Sequence, residues 1–167
     1  MVPTFFPHHY HSVVTPVIVA PGQSKVIPLP PEFVRPQDGC NQPDCELATA
    51  KRWLNTWEEH YAPWKVTRLG DDLYCHQPFC QNAIDRGFPV LFGCKPDSHP
   101  LLYEWIADFE RAGPVRTLKR IHWNGRQHLT ECYRYMNQVP LRDSDDALML
   151  NWCELMITVE MITSVYN

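Results

Sequence analysis

Between Asp44 and Cys94 the sequence switches from a helical period to a strand period and back, twice, and this alternation narrows the possible folds most. Asp44 is a good N-cap, and Leu47, Ala50, Trp53, Leu54 and Trp57 recur at helical spacing, so a helix with one apolar face runs to Tyr61. Trp64 to Leu69 (WKVTRL) alternates apolar and polar residues as a strand does, and Gly70 is expected to break it. Gln77 to Arg86 reads as a short helix, with Pro78 tolerated in its first turn and Gly87 as its C-cap. Phe88 to Cys94 (FPVLFGC) is a near-continuous apolar run, the pattern of a strand covered on both faces. Trp53, Trp57 and Trp64 are most simply core. This order predicts βαβ packing around a partly parallel sheet.

On either side the character differs. Ser12 to Ala20 is rich in β-branched residues, and a Pro21-Gly22 turn leads into Lys25 to Leu29, so a hairpin is expected, followed by a loop from Pro30 to Pro43. Leu101 to Phe109 reads as a further helix. Beyond it, Val115 to Trp123, Leu129 to Val139 and Ala147 to Val159 read as strands, separated by turn signals at Asn124-Gly125 and Asp143-Ser144-Asp145. The expected organisation is a tail over 1–11, an α/β part over 12–110, a β-rich part over 111–160 and a tail over 161–167. Early turn-forming prolines and the histidines His8, His9 and His11 fit extended or terminal chain.

With 167 residues, 44% of them hydrophobic, the chain can bury a core of its own. No window approaches the roughly 18 apolar residues that a membrane helix needs, and no cationic, then apolar, leader opens the chain. Seven cysteines, an odd count spread through predicted elements, suit reduced thiols in a cytoplasmic setting. A net charge of −4 argues against a general nucleic-acid binder, so any DNA contact has to come from a local patch.

Two features carry chemistry. The first is Asp71-Asp72, placed where a strand ends and a loop begins. In open α/β sheets ligands bind beyond the carboxyl ends of strands, and carboxylates suit hard cations such as Mg²⁺. A solvated turn with capping duty is the plainer alternative. The second is the run from Arg111 to Arg134, which holds Arg116, Lys119, Arg120, Arg126 and Arg134 with Trp123 and Tyr133 interleaved, and Glu131 as its one acid. Such a strip can contact phosphates on an otherwise acidic protein, or it can be the wet face of a β-meander.

Several segments in order resemble the DDE-type transposases of bacterial insertion sequences: Val17-Ile18-Val19-Ala20-Pro21-Gly22, Asp44-Cys45-Glu46, Lys51-Arg52-Trp53-Leu54, Leu69-Gly70-Asp71-Asp72-Leu73-Tyr74, Cys94-Lys95-Pro96-Asp97-Ser98-His99 and Val139-Pro140-Leu141-Arg142-Asp143. The resemblance runs from about His11 to Val159. It implies an α/β fold, an incomplete RNase H-like mixed sheet with flanking helices plus a β-rich insertion. In that family two Asp and one Glu hold two Mg²⁺ or Mn²⁺ ions for DNA cleavage and strand transfer. Asp71-Asp72-Leu73-Tyr74 is similar to the family's Asp-x-x-Tyr pattern, so the resemblance makes Asp71 a catalytic, metal-binding position, with Asp72 as runner-up. It also implies that the β-rich insertion contacts transposon-end DNA. The sequence departs from the family in its other ligands: no Asp or Glu precedes Ser12, and Glu160 follows a strand-like run rather than sitting in a helix. The expectation is therefore a transposase fragment truncated at both ends, with one of three carboxylates, inactive alone and poorly soluble.

Two further readings compete: a non-catalytic remnant that binds DNA or an intact transposase, and a small zinc-stabilised module on Cys40, Cys45, Cys75 and Cys80. The zinc reading suffers from its spacing, because each pair lies five residues apart and structural zinc prefers tighter knuckles.

Overall fold

The computed structural model describes residues 11–35, 42–123, 125 and 127–161. The chain forms a mixed α/β structure of two units, Met1–Gly93 and Cys94–Asn167. The boundary falls before the helix at Leu101, whereas the sequence groups that helix with the α/β part.

The first unit opens with a two-stranded antiparallel ribbon. β1 (Val13–Val14) pairs with β4 (Glu32–Phe33), and β2 (Val17–Ile18) pairs with β3 (Ile27–Pro28). The register slips by one residue between the two ladders, as a bulge does. It falls at Pro16, which has no N–H to give, while its carbonyl accepts from Leu29 N at 2.9 Å. The second strand thus extends to Phe33, into the segment expected to be loop.

Helix α1 (Gln42–Tyr61) lies against this ribbon. Its apolar face buries Ala50, Trp53 and Leu54 in a cluster with Phe79. Two polar ties fix it. Trp53 Nε1 donates to Pro30 O at 2.7 Å, and Arg52 donates to Glu32 Oε1 at 2.7 Å and to Phe33 O at 2.8 Å. These bonds give the buried indole and the half-buried guanidinium their partners, without which burial would cost more than it returns.

The strand expected from Trp64 forms later and shorter. Ala62–Trp64 is a 3-10 turn closed by Lys65 in the left-handed region, φ 52°, so the chain becomes extended only afterwards. Trp64 is 65% exposed, not core. β5 (Arg68–Gly70) then pairs in parallel with β6 (Val90–Phe92), and α2 (Gln77–Asp85) connects them through buried Phe79, Cys80 and Ala83. The predicted βαβ unit is therefore present. Its coverage is one-sided: Leu69 and Leu91 sit in register and are 60% and 66% exposed, so the strand at 88–94 is not buried on both faces.

Gly70 does not break the strand; it is its last residue. A Cβ there would stand 2.9 Å from Tyr74 Cδ2 and 3.0 Å from Phe92 Cδ1. Glycine is needed because two aromatic rings close over the strand end.

The second unit packs α3 (Pro100–Ala112) on an antiparallel sheet of β7 (Arg116–Trp123), β8 (Gln127–Pro140) and β9 (Met149–Met161), in the order β7-β8-β9. Gly113, at φ 93°, ends the helix as a left-handed cap. Leu102, Ile106, Val139, Leu141 and Trp152 are this unit's buried apolar residues. A bulge between Met136 and Val139 bends β8, with Gln138 at φ 60°. All three strands fall where the sequence predicts them.

Candidate functional site

Asp71 directly follows the last residue of β5, so its carboxylate stands beyond the carboxyl end of a parallel strand pair. The residue is exposed. Its Oδ1 accepts from Leu73 N at 3.1 Å and caps the 3-10 turn Asp72–Tyr74. Capping and a metal-facing carboxylate are compatible, because a carboxylate carries a second oxygen. Asp72 is half-buried in the turn itself.

Tyr74 anchors the tip. Its ring packs against Phe79 and Phe92, with centroids 5.2 and 6.2 Å away, and its hydroxyl donates to Glu46 Oε1 at 2.5 Å. Burial, then the Glu46 hydrogen bond, then the charges of Glu46 and Asp71 hold the phenol above its ordinary range. The turn bearing Asp71 is thereby tied to helix α1 across 28 residues of sequence. Glu46 is the residue that sequence reasoning missed here. The signal was present, since Glu46 and Tyr74 both lie in the resembling segments, but nothing in one sequence says that they touch.

The residues present do not fit a two-ion centre. Among the described residues no group of three carboxylates gathers at this tip. One exposed Asp with an adjacent Asp can lend oxygens to a hard cation, but two ions with fixed geometry need more ligands than that. No metal-dependent step can be derived from these residues.

At the start of β5, Arg68 stands over Phe88, with its guanidinium carbon 3.9 Å from the ring centroid, and lies 5.6 Å from the Trp53 centroid. Desolvation, then the nearby Arg86, lower its pKa from the usual value to about 10, while Glu58 opposes the shift. Arg86 is itself paired to Glu58 at 2.9 Å. Arg68 supports the core rather than the tip.

In the second unit, strand alternation divides the predicted basic strip between two faces. Arg116 and Arg120 share a face with Tyr135, Tyr133 and Glu131, whereas Lys119 falls on the other face with Arg134. Arg120 lies over the Tyr133 ring at 5.8 Å, and Tyr133 donates to Glu131 Oε2 at 3.0 Å. That hydrogen bond is the first cause holding the Tyr133 phenol above its usual value. Arg116 borders a shallow pocket with Pro114, Tyr135, Met136 and Asn137. Arg134 has a different situation. It pairs with Glu110 of α3 at 2.6 Å and Glu154 of β9 at 2.7 Å, and it stands over Trp152 at 5.7 Å. Its charge is compensated inside the unit, which leaves Arg116, Lys119 and Arg120 as the exposed cations of β7. Arg126 lies outside the described residues, as do His8 and His9.

Of the four cysteines in the zinc reading, Cys40 and the side chain of Cys45 lie outside the described residues. Cys75 and Cys80 are both buried. Cys80 Sγ donates to Tyr74 O at 3.8 Å, and burial, then the neighbouring Cys75, push its thiol up to about 12. A thiol held neutral in this way behaves as a packing group.

No helix among the described residues is long and apolar enough to cross a membrane. Comparison with protein-family models, with curated proteins and with solved structures gives no match.

Proposed function

We propose that the chain is part of a transposase-type catalytic core of RNase H-like descent. It supplies one metal-binding carboxylate, Asp71, with Asp72 as the neighbouring alternative, and contacts DNA through β7. The observation that carries this reading is the position of Asp71, set at the carboxyl end of a parallel strand by Gly70 before it and the anchored Tyr74 after it. The motif order supports it as well, since Leu69-Gly70-Asp71-Asp72-Leu73-Tyr74 resembles the family at this element. Mg²⁺ or Mn²⁺ belongs to the intact parent enzyme, transposon-end DNA is its partner, and a cytoplasmic setting with reduced thiols goes with it. By itself the chain binds DNA through Arg116, Lys119 and Arg120 and does not cut it.

The test uses the purified chain, a labelled duplex and either cation. The expected result is binding that weakens steeply with salt, drops in an Arg116→Ala/Arg120→Ala variant, and produces no nicks. Mg²⁺-dependent nicking lost in Asp71→Ala would overturn the inactivity. Binding that is absent or indifferent to salt would overturn the DNA contact.

A further inference from the structure

The two edges of the β7-β8-β9 sheet are unlike. The β7 edge carries Arg116, Lys119 and Arg120 on an exposed strand, and cations of this kind keep a sheet edge from adding further strands. The β9 edge has no such protection. Over Met149–Met161 it contains no Lys, Arg, Pro or Gly. Leu155, Met156, Ile157 and Val159 are 46%, 47%, 57% and 51% exposed, so apolar side chains stand uncovered on both faces. A long edge without cations, whose charges are Glu154, paired to Arg134, and Glu160 near its end, exposes apolar side chains between them and is a template for another strand.

We infer that β9 pairs antiparallel with β9 of a second copy of this chain, about a two-fold axis through Met156, and that the two sheets become one. The register follows from what each choice places face to face. An axis at Met156 sets Leu155 against the partner's Ile157 and Cys153 against the partner's Val159. On that face only the outermost pair, Asn151 against the partner's Met161, is not wholly apolar. On the other face Glu154 meets the partner's Thr158, and Glu154 and the partner's Glu154 lie about 13 Å apart, beyond the screening length at physiological salt. An axis at Leu155 would set Val159 against the partner's Asn151 inside the ladder and Met156 against the partner's Glu154. An axis at Ile157 would bring the acidic positions 154 and 160 opposite each other. Two-fold pairing also closes the assembly, whereas β9 on the partner's β7 would leave a free edge at each end and grow without limit. This inference does not depend on the transposase reading, and none of its tests reads DNA or metal.

Sedimentation of the full chain gives a discrete species of twice the 19.5 kDa chain mass. Ile157→Lys puts a charge on an exposed position of the shared ladder. It gives the single-chain mass with an unchanged far-UV spectrum. Val159→Cys places the new thiol opposite the partner's Cys153, at a Cα spacing that an antiparallel pair shares with a disulfide. Mild oxidation with diamide then yields a covalent dimer whose linked peptides contain position 159 and Cys153, and the unmutated chain gives none. Three results overturn the inference: a single-chain mass at every concentration, a dimer indifferent to Ile157→Lys, or an open polymer that Lys119→Glu dissolves.

Discussion

Gly70→Ala is expected to destabilise the first unit although every general argument about glycine points the other way. Gly70 has no left-handed backbone, and replacing such a glycine by alanine ordinarily adds about 0.4–1 kcal/mol of stability by narrowing the unfolded ensemble. At this position the new methyl meets Tyr74 Cδ2 at 2.9 Å and Phe92 Cδ1 at 3.0 Å. Neither ring is free to swing away. Tyr74 is held by Glu46 at 2.5 Å, and Phe92 is packed on Phe79 at 5.9 Å between centroids. Overpacking of this kind costs about 1–3 kcal/mol, which outweighs the entropic gain. For a unit of this size each kcal/mol moves the midpoint by about 4–8 °C. Gly93→Ala is the internal control. It is also free of left-handed backbone, and its new methyl would meet the Asp71 backbone at 3.5 Å, an ordinary contact, so it should be neutral or slightly stabilising. Thermal melts of the two variants, followed by far-UV circular dichroism, decide the matter. If Gly70→Ala melts with or above Gly93→Ala, the closure of the strand end by Tyr74 and Phe92 is wrong.

Other perturbations probe the remaining contacts. Arg134→Ala should cost about 1–2 kcal/mol, because it removes two charged hydrogen bonds joining α3 and β9 through one half-buried group, discounted for the exposure of Glu110; a urea melt of the full chain checks it. Tyr74→Phe should cost about 1–2 kcal/mol at neutral pH and remove from a spectrophotometric titration one phenol held above the ordinary range. Cys80 titrates higher folded than unfolded, so its contribution is complete below the ordinary thiol value of 9.0 and is lost as pH rises from there towards about 12. A Cys80→Ala variant should therefore lose less stability over that window than the parent, as read by urea midpoints. At pH 8, exposed Cys153 should react with a thiol reagent well before buried Cys75 and Cys80.

Elements with a strong period were legible in the sequence. α1 and α3 follow from a 3.6 repeat that buries one face, and the three long strands of the second unit follow from strand-like runs set apart by the turn signals at Asn124-Gly125 and Asp143-Ser144-Asp145, even though every residue of β7 is exposed. The short elements were not, and the reasons are local. The strand expected from Trp64 starts late because Pro63 favours a 3-10 turn and Lys65 takes a left-handed conformation, a choice that no alternation pattern encodes. The run FPVLFGC looked buried on both faces because its composition is apolar throughout, yet Leu91 faces outward beside Leu69. The position of Asp71 was legible, since it needs only a strand followed by an acidic residue. The Glu46 anchor was not, because contacts distant in sequence leave no periodic trace. For the same reason Arg134 reads as one more cation of a basic strip until Glu110 and Glu154 are seen beside it.

The Tyr74–Glu46 bond makes two distant positions of the chain one unit of inheritance. A carboxylate at 46 that loses its phenol is left half-buried and charged, and a phenol at 74 that loses its carboxylate is left with an unanswered hydroxyl. Either single change therefore costs more than both together. Chains descended from a common ancestor with this one should exchange positions 46 and 74 as a pair, and a drift of α1 along its axis would carry the aim of Asp71 with it.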